Sequence, residues 1–289
     1  MNYIIATDSC SDLPVEIIEK YEIPVIPMEF IMDGKTYKNY PDHREFALED
    51  FYKLMKEGHT GTTSQLTAET IEEFFTPYLE EGNDVLYVVF SSALSGTYAN
   101  ACKALERLKA KFPERKIFFV DSLTASTAEG KMVYEAALNR ENGFSIEENA
   151  ASLEETKLNL AVWFTVDDLQ CLRRGGRLSA TAAFLGSLLS IKPVLHVTDE
   201  GKLVPVEKTI GRKASLLSLI KRCKEDILDP ENDAVFIASA LSFDDEKRVE
   251  EKLRNELHVK NVFVSKIGPV IGMHSGPGTF LVTFYSKKR

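Results

Sequence analysis

Residues 85–98 read VLYVVFSSALSGTY, and this stretch holds a strand, a turn and the beginning of a helix. Residues 85–90 are apolar without interruption, which is typical of a strand that is buried on both faces of a parallel sheet. From Tyr98 onward, apolar residues recur at intervals of three and four positions as far as Phe112, which predicts an amphipathic helix. A buried strand, a short polar turn and a helix together form the repeating unit of an α/β fold.

The same alternation continues on both sides of this stretch. In the first half, strand patterns lie at 3–7, 25–30, 85–90 and 117–120, and helical patterns lie at 14–21, 47–57, 67–81, 98–112 and 124–142. Strands that are separated by helices predict a mainly parallel sheet.

The second half has a different pattern. Strand patterns lie at 160–165, 194–197, 203–207, 234–239, 262–267 and 280–285, and helical patterns lie at 166–171, 180–189, 213–227 and 244–257. Residues 198–202 read as a hairpin turn between two strands, so we expect a mixed sheet. The pattern breaks near 142–153. We therefore predict two α/β domains, residues 1–150 with a mainly parallel sheet and residues 151–289 with a mixed sheet.

The composition excludes several classes of protein. The formal net charge of −9 makes a nucleic acid a poor partner. The four cysteines are scattered without a CxxC pair, so we expect neither a zinc site nor a disulfide framework. We find no signal peptide and no apolar run of membrane-spanning length, and we expect a soluble, cytoplasmic protein.

Two polar segments precede predicted helices. Residues 91–97 follow the buried strand, and the free N–H groups of a helix N-terminus there favour an anion. Ser95 either caps that helix or donates its hydroxyl to a ligand, and Gly96 allows a ligand to approach the backbone. Residues 61–67 leave Thr62, Thr63 and Ser64 as surplus hydroxyls in a loop, although this segment taken alone favours an ordinary polar turn.

Two further segments carry a histidine or arginines. His274 lies among four glycines and two prolines in residues 268–278, which we read as a stiff loop that holds the imidazole in place. Arg173, Arg174 and Arg177 form a basic patch that either grips an anionic partner or simply ends a helix at Gly175.

Two Asp-Ser pairs, at Asp8 and Asp121, each end a predicted strand. Ligands of open α/β sheets bind beyond the carboxyl ends of the strands, so both pairs are candidates for the rim of a site. Turn and cap chemistry is the alternative role for these residues.

Taken in order, these motifs resemble the DegV family, which includes the fatty-acid-binding subunits of bacterial fatty acid kinases. The resemblance runs nearly from end to end. The matching segments are residues 8–13 (DSCSDL), 63–65 (TSQ), 91–97 (SSALSGT), 175–178 (GGRL), 192–194 (KPV) and the loop at 268–278.

The resemblance implies a ligand that lies between the two domains. It implies that the carboxylate of a fatty acid such as palmitate is held by Thr63, Ser95 and His274, with Gly96 and Ser64 beside them. The acyl chain is then expected in an apolar tunnel of the second domain. Leu66 departs from the proline that often follows the TSQ motif, which leaves the stiffness of that loop in question.

The resemblance also implies that Arg173, Arg174 and Arg177 dock an ATP-dependent kinase subunit. We therefore predict a carrier without catalysis, cofactor or metal, which presents a fatty acid for acyl-phosphate formation. The sequence contains no P-loop, so ATP chemistry must come from a partner. Two alternatives stay open: an acyl hydrolase with Ser95 as nucleophile and His274 as base, and a small-molecule sensor that binds no lipid.

Overall fold

The computed structural model of the protein describes residues 3–167, 169–179, 191–287 and 289. The strands within these residues are β1 (Tyr3–Asp8), β2 (Val25–Ile26), β3 (Met28–Met32), β4 (Lys35–Asn39), β5 (Gly61–Ser64), β6 (Asp84–Val89), β7 (Ile117–Asp121), β8 (Leu160–Thr165), β9 (Ile191–Val197), β10 (Leu203–Ile210), β11 (Ala234–Ser239), β12 (Asn261–Lys266) and β13 (Phe280–Tyr285).

The helices within the same residues are α1 (Val15–Tyr21), α2 (Leu48–Lys56), α3 (Ala68–Glu80), α4 (Thr97–Lys111), α5 (Thr127–Glu141), α6 (Ile146–Thr156), α7 (Gln170–Arg174), α8 (Arg212–Asp226), α9 (Phe243–Leu257) and α10 (Pro269–Ser275). None of these helices has the length and apolarity that crossing a membrane requires. The helix predicted at 180–189 lies outside the described residues.

The first sheet is parallel and has the order β2-β1-β6-β7. Its central strand β6 is buried along residues 85–89, as the uninterrupted apolar run predicts. Helices α3 and α4 cover one face, and α5 and α6 cover the other. The α/β class with a parallel first sheet is therefore confirmed.

The strand predicted at 25–30 is wrong as a single element. Pro27 lacks an N–H group and interrupts the run, so β2 joins the parallel sheet while β3 joins a separate antiparallel sheet of order β4-β3-β5. The polar turn expected at residues 61–64 is strand β5, in which Thr63 pairs with Phe30. Pairing with a distant strand overrides the loop-like composition of these four residues.

The second sheet is mixed and has the order β10-β9-β8-β13-β11-β12. The hairpin between β9 and β10 forms as predicted, and β11 and β12 run parallel. The loop expected at 268–278 contains helix α10 instead. Pro269 stands at its first turn, where no N–H is needed, and Gly276 ends it with a φ of +87°. The predicted helix at 166–171 is replaced by the short α7.

Buried polar groups link the two halves, beside apolar side chains of both halves that pack in shared clusters. Asp12, which follows β1, accepts the Gly268 N–H at 2.8 Å and the Ser126 hydroxyl at 2.5 Å. Tyr52 of α2 donates to the Ile267 carbonyl at 2.7 Å. These bonds attach the start of α10 to the first half. The predicted boundary between residues 150 and 151 falls within α6 and stays a prediction.

The chain also buries an ion pair between the halves. The Lys131 side chain on α5 is 0% exposed, and its Nζ lies 2.5 Å from Asp233 Oδ1 just before β11. The ammonium also lies 4.4 Å from the Tyr285 ring centroid. The pair therefore contributes to holding α5 against the second sheet.

The first prediction concerns this ion pair. Lys131→Met should lower the free energy of unfolding by about 3 kcal/mol, because it leaves a buried carboxylate without its cation. Lys221→Met is the matched control, since that side chain is 71% exposed and should change little. Urea denaturation measures both variants. Equal losses in the two would contradict the assignment.

The second prediction concerns pH. Burial raises the pKa of Asp12 to about 7, above its ordinary value of 3.8. The folded chain therefore keeps a proton that the unfolded chain releases near pH 4, and this contribution to stability declines as pH rises from about 4 to about 7. Asp12→Asn removes the titration and keeps an oxygen for the Gly268 N–H, while its Nδ2 donates to the Ser126 oxygen in place of accepting from it. Relative to this variant, the wild type should lose stability across that window in denaturant titrations. If stability changes with pH in the same way in the wild type and in Asp12→Asn, the raised pKa of Asp12 is refuted.

Candidate functional site

A cavity of about 420 Å³ lies where the first half meets the second sheet. Its polar wall comes from β5, the turn before α4, the segment after α7, and α10. Its apolar wall comes largely from one face of the second sheet, and includes Val162, Phe164, Val197, Leu203 and Leu281. The cavity thus has the two kinds of surface that an amphiphilic ligand needs.

Thr63 and His274 meet in this cavity although they are 211 residues apart. The Thr63 hydroxyl lies 2.8 Å from Nε2 of His274. Strand β5 positions the threonine, and the last turn of α10 positions the histidine. If Nε2 carries the ring proton and donates it to Thr63, the threonine keeps its own proton for a ligand.

The environment of His274 keeps its imidazole neutral. Burial, followed by the positive charges of Arg177 and Arg174, lowers the pKa of His274 to about 4. Its Nδ1 is buried without a hydrogen-bond partner in the described chain. The ring packs directly on Gly175, where an added Cβ would stand 2.2 Å from Nδ1. Glycine at position 175 is thus required by the close approach of the ring.

Ser95 reaches the same cavity from the turn before α4. Its hydroxyl accepts the Thr97 N–H at 3.2 Å and lies 3.0 Å from the Thr97 hydroxyl. Thr97 is fully buried and accepts the Leu66 N–H. If the Thr97 hydroxyl donates to Ser95, the Ser95 proton is left for a ligand in the cavity. Gly96, and not Ser95, is the N-cap of α4.

The remaining predicted residues are distributed unevenly around the site. Ser64 lines the cavity beside Thr63. Arg177 also lines it, and donates to the carbonyls of Leu94, at 3.0 Å, and Gly175. Arg173 and Arg174 stay exposed in the last turn of α7, and Gly175 ends that helix. The basic patch therefore divides into one residue at the cavity and two at the surface.

The two Asp-Ser pairs have structural partners. Asp8 is fully buried and accepts hydrogen bonds from Cys10 N, Phe90 N and the Tyr87 hydroxyl. Burial raises its pKa to about 6. Asp121 accepts the Ser92 and Leu123 N–H groups, each at 3.1 Å. Both aspartates thus perform turn and cap chemistry, and they hold the turns on which Ser95 depends.

From the sequence alone, Gln65 received no role, and the residues of the apolar tunnel that the resemblance implies in the second domain were not named. Gln65 lines the cavity although only its neighbours Thr63 and Ser64 were assigned a role. The apolar residues of β8 and β13 carried a signal, since Phe164 and Leu281 stand as cross-strand partners in two predicted strands. Which face of those strands borders a cavity is a tertiary property.

The chemistry of this cavity is that of binding an anion with an apolar tail. Two hydroxyl groups and a guanidinium line the polar region, while a sheet face supplies the apolar region. Across the described ranges, no three His, Cys, Asp or Glu side chains are grouped closely enough to hold a metal ion.

Comparisons with known proteins identify relatives along the whole chain. The family model described as uncharacterised protein, DegV family, matches residues 3–287. A DegV domain-containing protein of Clostridium perfringens is 39% identical over 282 residues, which cover 98% of this chain and 97% of the relative.

Solved structures of related proteins are similar to this chain along its whole length. A fatty-acid-binding DegV family protein from Thermus thermophilus superposes with a TM-score of 0.87 and 30% identity, covering 99% of this chain and 100% of that one. DegV of Bacillus subtilis, a fatty acid binding protein, superposes with a TM-score of 0.85 and 30% identity, again covering 99% of this chain and 100% of that one. The resemblance in the motifs is confirmed, and the chain belongs to the DegV family.

Proposed function

We propose that the protein binds a long-chain fatty acid such as palmitate and presents its carboxylate to an ATP-dependent fatty acid kinase in the cytoplasm. The observation that carries the binding step is the meeting of Thr63, Ser95 and His274 at a cavity with an apolar wall. The Thermus thermophilus and Bacillus subtilis relatives, each 30% identical, bind fatty acids, which supports the same ligand class here.

The acyl tail supplies most of the binding free energy in this proposal. Each methylene that leaves water contributes about 0.8 kcal/mol, so a chain of fatty acid length outweighs any single polar contact. The apolar wall from the second sheet receives this tail. The head group needs only enough donors to replace the water that it loses.

Neutral donors suit a carboxylate that is first bound and then presented to a kinase. Thr63 and Ser95 each present a hydroxyl group to the cavity, where Ser64 lies beside Thr63, and Gly96 follows Ser95 as the N-cap of α4. His274 is uncharged at neutral pH, so it orients Thr63 without forming an ion pair with the ligand. Arg177 provides a positive charge at the cavity wall.

The arrangement favours binding over hydrolysis. The Ser95 hydroxyl contacts Thr97, while Nε2 of His274 contacts Thr63, so these two side chains do not form a nucleophile–base pair. An imidazole with a pKa of about 4 is also a weak general base at neutral pH. These two features support the carrier role over the hydrolase alternative.

The kinase step is supported by the position of the surface arginines. Arg173 and Arg174 are exposed at the end of α7, and the next residue, Gly175, packs against His274. An acidic partner that docks on these arginines would stand close to the head-group site.

The third prediction tests head-group binding. Thr63→Val keeps the shape of the side chain but removes its hydroxyl, and should weaken palmitate binding by about tenfold or more, since hydrogen bonds to charged groups contribute roughly 1.5–3 kcal/mol. Thr62→Val is the matched control, because Thr62 is exposed and does not line the cavity. Displacement of a fluorescent fatty acid measures both.

Mass spectrometry of lipid extracted from the purified wild type should recover fatty acid. Failure to recover lipid, together with no binding on titration, would refute the proposal.

The fourth prediction tests presentation to a kinase. Arg173→Glu with Arg174→Glu should leave palmitate binding unchanged but abolish acyl-phosphate formation with a fatty acid kinase subunit and ATP, because the docking charge is reversed. Arg248→Glu, on an arginine that is 51% exposed on α9, is the control. Hydroxylamine trapping of the acyl phosphate gives the readout. Normal acyl-phosphate yield in the double variant would remove these arginines from the docking surface.

A further inference from the structure

Gln65 is a polar residue of the cavity to which the proposed function gives no role. It follows β5 directly, lines the cavity and is exposed to solvent. In the described part of the chain, its side-chain amide has no hydrogen-bond partner, although polar side chains on either side of the cavity mouth are paired.

The backbone around Gln65 is held firmly against α4. The Leu66 N–H donates to the Thr97 hydroxyl at 3.2 Å, and the Leu66 carbonyl accepts the Asn100 side chain at 2.8 Å. Leu66 itself is buried. Both main-chain groups of the next residue, Leu66, bond to side chains of α4. The backbone from which the Gln65 side chain extends is therefore held beside the start of that helix.

The Gln65 amide rests on Gly96. A Cβ added at Gly96 would stand 2.1 Å from Oε1 of Gln65, 2.9 Å from Cδ and 3.2 Å from Nε2. The oxygen is therefore the end of the amide nearest the helix N-terminus, where partial positive charge favours it. The Nε2 group carries two protons and has no acceptor among the described residues, so it is available to donate to a ligand in the cavity.

We propose that Gln65 is a specificity-determining residue that closes over the ligand's head group, with its amide oxygen seated on Gly96 and its amide nitrogen donating to the carboxylate. This inference rests on the proposed fatty acid binding and adds a donor to it. Glutamine suits this position because it donates without carrying charge, whereas glutamate would place a second anion beside the first. A ligand without a carboxylate should gain little from the contact.

The test compares two ligands that share a tail. Palmitate and 1-hexadecanol are titrated against the wild type, Gln65→Glu and Gln65→Met, by displacement of a fluorescent fatty acid. Gln65→Met should weaken palmitate by about tenfold, the loss expected for a hydrogen bond to a charged group, and Gln65→Glu should weaken it further. Binding of hexadecanol should change less than twofold in Gln65→Met, since the tail contacts are intact. Gln170→Glu is the control, because Gln170 is exposed and does not line the cavity.

A second variant examines the contact with Gly96. Gly96→Ala places a methyl group where the amide now lies, and the flexible Gln65 side chain must swing away. It should reproduce the palmitate loss of Gln65→Met, and the double variant should lose no more than either single variant, since both remove one interaction.

The outcomes separate this inference from the proposed function. Equal losses for palmitate and hexadecanol, or palmitate binding that Gln65→Glu leaves unchanged, overturn the role of Gln65 while fatty acid binding by the wild type stands. If the losses of palmitate affinity add up in the double variant, the contact between the Gln65 amide and Gly96 has no role in binding. A wild type that binds neither ligand overturns the proposed function and this inference together.

Discussion

The close approach of α10 to the first half is the contact on which the site depends. Glycines make it possible: an added Cβ at Gly272 would stand 2.6 Å from the Tyr52 hydroxyl, and one at Gly268 would stand 3.0 Å from Asp12 Oδ1. At the other end of the same helix, His274 bonds to Thr63 of β5. A seven-residue helix thus carries the imidazole from the second sheet into hydrogen-bond distance of the first half.

The polar region is built to solvate an anion with neutral groups. Each cavity hydroxyl has a polar neighbour within hydrogen-bond distance, Thr97 for Ser95 and His274 for Thr63. The low pKa of His274 follows from burial and from the adjacent arginines. The positive charge of Arg177 lies at the cavity wall, while Arg173 and Arg174 face solvent. The three arginines of the basic patch therefore lie in two different environments.

Local signals predicted the buried strand and helix beside Ser95 better than the two segments that carry Thr63 and His274. The strand at 85–90 and the helix after it were readable because burial on both faces leaves an uninterrupted apolar run. Residues 61–64 and 268–278 were read as loops because glycine, proline and hydroxyl residues are common in turns. The first segment is a strand because Phe30 pairs with Thr63, and the second contains a helix because its proline and glycine stand at the start and stop positions.

The sequence by itself determined the α/β class, the acidic surface, the DegV motifs and the residue types that suit a carboxylate, because these depend on composition and on order along the chain. Only the tertiary structure decided that Thr63 meets His274 across 211 residues, that Arg177 turns to the cavity while Arg173 does not, and that Gln65 covers Gly96. The reason is physical. Periodicity reports which face of an element is buried, whereas the partner of that face is set by how the elements pack.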